Sequence, residues 1–360
     1  MAERLTPVNW GLGAALVGLS VIVGLLAGVN PKFAIAASIG IAFVLIVFVD
    51  LTVGLAAFGT FSFLEILQLG STVSVGKLLG VLLALGWFAY VVTREDARAD
   101  FFGTYPAISL FLGLFLGWVL LSATWAESAP AVIGAFGRYL PNVILFVIVF
   151  TAVSRLKDAT TVITGLLIGA MAAALYGLAF APAPVTTHYD GRLTGTNLDP
   201  NELASVLVPG IALALGLAVS MKRKPGAQLA AVGVAVFCLL TALYTGSRGG
   251  VVALAAMLVA AVLFSGRWRG RVVVVSALVA TFTTFYIIAL APTDIKQRIE
   301  SSSQGESQAL EPRTTLWEVG ERMIRANPVT GVGAGNFSRS AKHYVLQPGA
   351  LFRTDVVIFN

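Results

Sequence analysis

Apolar runs of membrane-spanning length repeat along this chain, separated by short polar stretches. They lie at Asn9–Val29, Phe33–Val49, Leu51–Leu69, Val75–Val92, Pro106–Leu121, Tyr139–Val153, Thr161–Phe180, Asn201–Ser220, Gln228–Tyr244, Val251–Phe264 and Val272–Ala291. About 20 apolar residues, coiled as an α-helix, match the hydrocarbon thickness of a bilayer. No segment shows the two-residue alternation of a transmembrane barrel. The pattern predicts an all-α fold over residues 1–291: a polytopic transmembrane helical bundle of about 10–11 spans. Leu51–Leu69 carries Glu65 and Gln68 and reads either as a crossing or as a short or re-entrant element.

Beyond residue 291 the pattern changes. Ser301–Gln308 is polar and reads as a flexible loop. Pro312 suits a first helical position, and residues 313–326 then space Leu316, Val319 and Met323 along one face. Trp317 and Ile324 are expected to widen that stripe, and Asn327-Pro328 to end the helix. Residues 292–360 are thus expected to form a long extracytoplasmic loop containing an amphipathic helix.

Composition agrees with a membrane protein. Charged residues make up 12% of the chain and mean hydropathy is +0.87, against roughly a quarter charged in soluble domains. The first run is too long for a signal-peptide core. The net charge of +6 does not call for nucleic acid, because the basic residues fall between spans. Arg94 and Arg98, Arg155 and Lys157, Lys222–Lys224, and Arg267, Arg269 and Arg271 all fall on one side. The positive-inside rule makes that side cytoplasmic, places the N-terminus there too, and fits a multi-pass protein of the cytoplasmic membrane. The opposite side receives Ser122–Arg138, Ala181–Pro200, Thr245–Gly250 and the tail. Asp199 or Asn201 is positioned to cap the span that follows the second of these.

Candidate chemistry gathers on that outer side. Arg248 lies in the loop Thr245–Gly250 between two apolar runs, and Arg192 lies in the loop before Asn201. A guanidinium at the edge of a membrane meets water, a partner or a ligand. Its fork matches phosphate oxygens and stays charged at any relevant pH. Gly195 and Gly249-Gly250 would let a bulky ligand approach the backbone. The competing reading is that each arginine snorkels to lipid headgroups. His188 and His343 are each either a general base or a solvated side chain, and Glu65 either a base or an interfacial carboxylate. Gly331–Gly335 lacks a preceding strand and a following Lys-Ser/Thr, so it reads as a tight turn and not a phosphate loop. Two distant histidines and the single Cys238 do not form a metal signature, so no metal or other cofactor is expected.

Three stretches, taken in order, resemble the O-antigen ligase family and its related polymerases. They are Arg192-Leu193-Thr194-Gly195-Thr196 with Asn201; Thr245-Gly246-Ser247-Arg248-Gly249-Gly250; and Arg313, Trp317, Asn327-Pro328, Gly331-Val332-Gly333 and Asn336-Phe337. Ser122 with Trp125, and Arg138-Tyr139-Leu140, add to it. The resemblance implies a metal-independent membrane glycosyltransferase with a GT-C-like fold. Such an enzyme passes a glycan from an undecaprenyl diphosphate carrier to a glycan or lipid acceptor hydroxyl on the outer face of the cytoplasmic membrane. It implies that Arg192 and Arg248 bind the carrier diphosphate, with Arg138, Arg313 and His188 in support, and that the helix of Arg313 and Trp317 packs over the site. The family also carries a His-Asn pair at the end of its large outer loop, proposed as the base. Here Phe359-Asn360 stands at that place, which implies a chain cut short at its C-terminus, with no catalytic base to assign. The other readings of the sequence are a lipid or solute transporter, or an inactive structural relative of the enzymes.

Overall fold

A computed structural model describes residues 7–63, 75–93, 101–180, 193–195, 199–220, 224–291 and 311–345. Among these residues there is helix and turn but no strand. The chain divides into two compact units.

The first unit takes in Met1–Glu95 and Ala152–Ile295. It contains α1 (Pro7–Val29), α2 (Pro31–Val49), α3 (Leu51–Ser62), α4 (Val75–Thr93), α8 (Leu156–Phe180), α9 (Pro200–Ser220), α10 (Pro225–Tyr244), α11 (Arg248–Phe264) and α12 (Arg269–Phe285). The second takes in Asp96–Thr151 and Lys296–Asn360. It contains α5 (Phe101–Thr104), α6 (Pro106–Leu121), α7 (Ala129–Ala152), whose final residue falls to the first unit, α13 (Glu311–Ala326) and α14 (Phe337–Val345). Eight helices among the described residues are long and apolar enough to cross a membrane. This is a multi-pass α-helical membrane protein.

Helix ends follow local chemistry. The Asn30 side chain accepts the Lys32 N–H at 3.0 Å, and Pro31 stands at the start of α2. Asp50 closes α2 and opens α3, accepting the N–H groups of Thr52 and Val53 at 2.8 and 3.2 Å. α3 has 12 residues, about 18 Å of helix, too short to cross the roughly 30 Å core alone. The expected run to Leu69 thus shortens to Ser62 as a helix. Glu65 and Gln68 lie outside the described residues.

Glycine sets the closest helix approach. A Cβ on Gly169 would lie 2.6 Å from the Thr60 carbonyl oxygen, and Gly165 abuts the Ala56 carbonyl. Thr60 Oγ1 donates to the Gly165 carbonyl at 2.9 Å. In lipid, where apolar surface gains little by leaving solvent, close backbone contact and such bonds hold α3 to α8. α9 is the central helix of the first unit. Leu203, Leu207, Ile211 and Ala214 on it are buried in one cluster with Ala235, Cys238 and Leu239 of α10 and Leu254 of α11.

Candidate functional site

The seam between α10 and α11 is built from its own short side chains. Thr245 Oγ1 donates to the Ala242 carbonyl at 2.7 Å and accepts the Ser247 N–H at 3.2 Å. Gly246 turns the chain with φ of +60°, a conformation costly for residues with a Cβ. Ser247 is extended and caps α11, its hydroxyl accepting the Gly250 N–H at 3.1 Å. The same hydroxyl donates to Asn201 Oδ1 at 2.9 Å. Thr245 and Ser247 are buried. The stretch expected to be an outer loop is therefore a two-residue turn and a cap. Arg248 is the first residue of α11, half-buried at its N-terminus.

The two glycines after Arg248 do different work. A Cβ on Gly250 would lie 2.9 Å from the Ala204 Cβ, so Gly250 is a packing residue between α11 and α9. Gly249 is exposed, with only the Ser247 hydroxyl, at 3.8 Å, near an added Cβ. Of the pair expected to admit a ligand to the backbone, Gly249 alone is open.

α9 begins beside the seam. Asp199 Oδ1 accepts the N–H groups of Asn201 and Glu202 at 2.6 and 2.9 Å, and Glu202 Oε2 accepts the Asp199 N–H at 3.1 Å. This reciprocal cap directs both carboxylates to the helix's own amides. Asp199 caps α9, and Asn201 is left to bind Ser247. Two helix N-termini thus meet through Asn201 and Ser247, with the Arg248 guanidinium at one of them. A helix N-terminus carries about half a positive charge, so cation and dipole both favour an anion here.

The segment bearing Arg192 enters the same packing. Leu193 is buried in the α8–α9–α10 cluster, and the Thr194 carbonyl lies against Gly177 of α8 where any side chain would overlap it. Arg192 and His188 lie outside the described residues. So do Phe359 and Asn360.

Arg138 and Arg313 belong to the second unit. The outer segment expected over Ser122–Arg138 is shorter than its sequence suggests, because α7 already begins at Ala129. Pro130 fits the first turn of a helix, where no internal N–H bond is lost. Arg138 is therefore an exposed position within α7, its carbonyl accepting the Asn142 side-chain N–H at 2.9 Å. Residue 313 lies in the first turn of α13.

The second unit also holds a clasp that sequence reasoning did not identify. The turn after α13 folds against the corner between α6 and α7. Asn336, fully buried, accepts the Ser128 N–H at 2.9 Å and donates to the Ser128 carbonyl at 3.2 Å. The Ser122 hydroxyl accepts the Ala334 N–H at 3.0 Å, and Trp125 Nε1 donates to the Thr330 carbonyl at 3.1 Å. Gly333 and Gly335 have φ of +88° and +71°. A Cβ there would lie 2.5 Å from Ala126 Cβ and 2.6 Å from the Ala131 carbonyl oxygen, respectively. Gly331–Gly335 is the tight turn its sequence indicates. In the sequence its partners Ser122 and Trp125 stand about 200 residues away, in a separate motif. Glu127 completes the corner, pairing with Lys342 Nζ at 2.8 Å and lying 3.6 Å from His343 Nε2. The Lys342 hydrogen bond holds the Glu127 carboxyl below its ordinary range, against a partial desolvation, with His343 and Ser340 adding to the lowering. This contribution is present above the ordinary carboxylate pKa and is lost as pH falls through the lowered value.

Within α13 the buried face is Thr315, Val319 and Met323, packed with Ala341 and Val345 of α14. Arg322 donates to the Tyr344 carbonyl at 2.9 Å, and Asn327 to the Tyr344 hydroxyl at 3.0 Å. Trp317 and Ile324 do not widen that face. They are 70% and 64% exposed, because they point about 140–160° away from Val319 and about 100–120° away from Met323.

No curated protein and no solved structure matches the chain. Residues 233–355 match the family model described as O-antigen ligase. The matched segment contains Arg248, the α11 cap and the whole turn that seats against the α6–α7 corner, and it leaves out Arg138, His188 and Arg192. Over this segment the membrane protein is similar to the O-antigen ligase family, in keeping with the three motifs in order.

Proposed function

We propose that this protein is a glycosyltransferase that moves a glycan from a polyprenyl diphosphate carrier, undecaprenyl diphosphate, to an acceptor hydroxyl at the outer face of the cytoplasmic membrane. The match to the O-antigen ligase family supports a ligase-type membrane glycosyltransferase role. The observation that carries the finer reading is the Arg248 seam. A half-buried guanidinium heads a 17-residue helix whose cap is tied to a second helix N-terminus. Such an arrangement suits a diphosphate better than a neutral solute.

In the reaction the acceptor oxygen attacks the anomeric carbon of the donor sugar. The bond from that carbon to the carrier's phosphate oxygen breaks, and its electron pair leaves with the diphosphate. The acceptor proton passes to a base, for which no residue is assigned. Negative charge grows on the leaving diphosphate as the bond opens, and Arg248, with Arg192 from the neighbouring segment, would stabilise it there. Electrostatic stabilisation of this kind is usually the largest catalytic term. Arg138, Arg313 and His188 are held as candidate supporting residues.

The test is transfer from a purified lipid-linked glycan by the protein in proteoliposomes. Arg248→Ala is expected to lower the rate about 100-fold or more, and Arg248→Lys to recover only part, since an ammonium lacks the bidentate fork. Full transfer by Arg248→Ala would remove the diphosphate clamp. A carrier has a different signature: flux of the lipid-linked substrate across the membrane without any glycosylated product.

A further inference from the structure

The hairpin of α13 and α14 is fastened to the turn between two spans, and this sets its depth. α6 and α7 are both long and apolar enough to cross. Residues 122–128 join their common end, so that corner marks one boundary between hydrocarbon and water. Trp118 and Trp125 pack there in a tilted pair with ring centroids 5.5 Å apart, and tryptophan collects at such boundaries because its ring is apolar and its N–H is polar. Trp125 gives that N–H to the Thr330 carbonyl. The start of the glycine turn is thereby held at the level of the aromatic pair, within a single compact unit.

α13, which leads into this turn, has a second apolar face. Trp317 and Ile324 are seven residues apart, hence about 20° from eclipsed on the helix. They point about 140–160° from Val319 and about 100–120° from Met323, both of which bury against α14. Val329, in the turn, is 78% exposed as well. Three large apolar side chains are thus open on a segment of this unit that is not itself a span. The flanks of the stripe are charged, with Glu321 and Arg325 paired at 2.7 Å, as suits a zone of headgroups of both signs.

We propose that α13 is an interfacial helix, its Trp317–Ile324 face seated in the headgroup and upper acyl region of the bilayer. The occupant is lipid. The Asn336–Ser128 clasp and the Trp125–Thr330 bond fix the helix at the depth where that face meets it. Amphipathic helices lie in this plane with the apolar face a few ångströms deep. In α13 the face turned to α14 serves folding and the face turned away serves the membrane.

The full chain with Cys238→Ala is placed in nanodiscs of phosphatidylethanolamine and phosphatidylglycerol. Single cysteines at Trp317, Ile324, Glu318 and Arg325 are spin-labelled in separate proteins. Labels at 317 and 324 are expected to be relaxed strongly by dioxygen, which partitions into lipid, and weakly by a polar nickel chelate. Labels at 318 and 325 should show the reverse. Equal nickel accessibility at 324 and 318 would put the face in water and overturn the proposal. Shielding of 317 and 324 from both reagents would put protein against the face and overturn it equally. The readout needs no glycan transfer, so it stands or falls apart from the proposed activity.

Discussion

At Arg248 the interest lies in what surrounds a single charge. The residues before it are satisfied internally, the Ser247 hydroxyl by Asn201 and Gly250. The cap therefore does not compete with a ligand for hydrogen bonds. Gly249 and Gly250 look alike in sequence and differ in space. Gly250→Ala drives a Cβ to 2.9 Å from Ala204. It is expected to destabilise the protein by about 1–3 kcal/mol, as overpacking does, read from thermal unfolding in nanodiscs. Gly249→Ala should stay within about 0.5 kcal/mol of the parent. Equal losses for both would mean that α11 does not approach α9 as described.

At the scale of elements, two devices decide how the chain is assembled. One is the reciprocal cap at α9 with the Ser247 latch, which joins α9, α10 and α11 at one end. The other is the clasp at the α6–α7 corner. Asn336 is buried and makes both of its key bonds to one residue, Ser128. Asn336→Ala leaves the part-buried N–H and carbonyl of Ser128 without it, at a cost of about 1–3 kcal/mol. Local opening is therefore expected before global unfolding. Hydrogen exchange should quicken across residues 331–345 and stay unchanged in α9 and α10. Uniform quickening throughout both units would show that the clasp is not a separate unit of stability.

For the whole molecule, the basic residues between spans predict an orientation. Reporter fusions within Lys222–Lys224 are expected to report the cytoplasm, and fusions within Thr245–Gly250 the outer side. The reverse result would place the Arg248 seam on the cytoplasmic face, and the proposed reaction with it on the wrong side for its carrier-linked donor. The family match takes in parts of both units, beginning in α10 and running through α14.

The span pattern, the α13 helix and its stop at Asn327-Pro328 were legible because each depends on residues near in sequence. Hydropathy over about 20 residues reports burial in lipid directly, and a cap or a proline acts within a few positions. The same reasoning was incomplete at helix ends and helix faces. α3 ends at Ser62, which agrees with the short-element reading of the run Leu51–Leu69. Arg138 sits in a helix because apolar and alanine-rich residues ahead of Tyr139 extend α7 to Ala129. Trp317 and Ile324 share a hydropathic stripe with Val319 on paper, yet only Val319 faces α14.

The sequence by itself determined a many-spanning α-helical membrane protein with arginine-bearing motifs that resemble the O-antigen ligases. Only the tertiary structure decided that Ser247 is latched to Asn201, that Gly250 packs while Gly249 is open, and that Gly331–Asn336 seats on Ser122–Ser128. The physical reason is the range of the forces. Hydropathy and capping are written in adjacent residues, whereas a hydrogen bond between positions about 46 or 208 apart exists only once the chain has closed the loop between them.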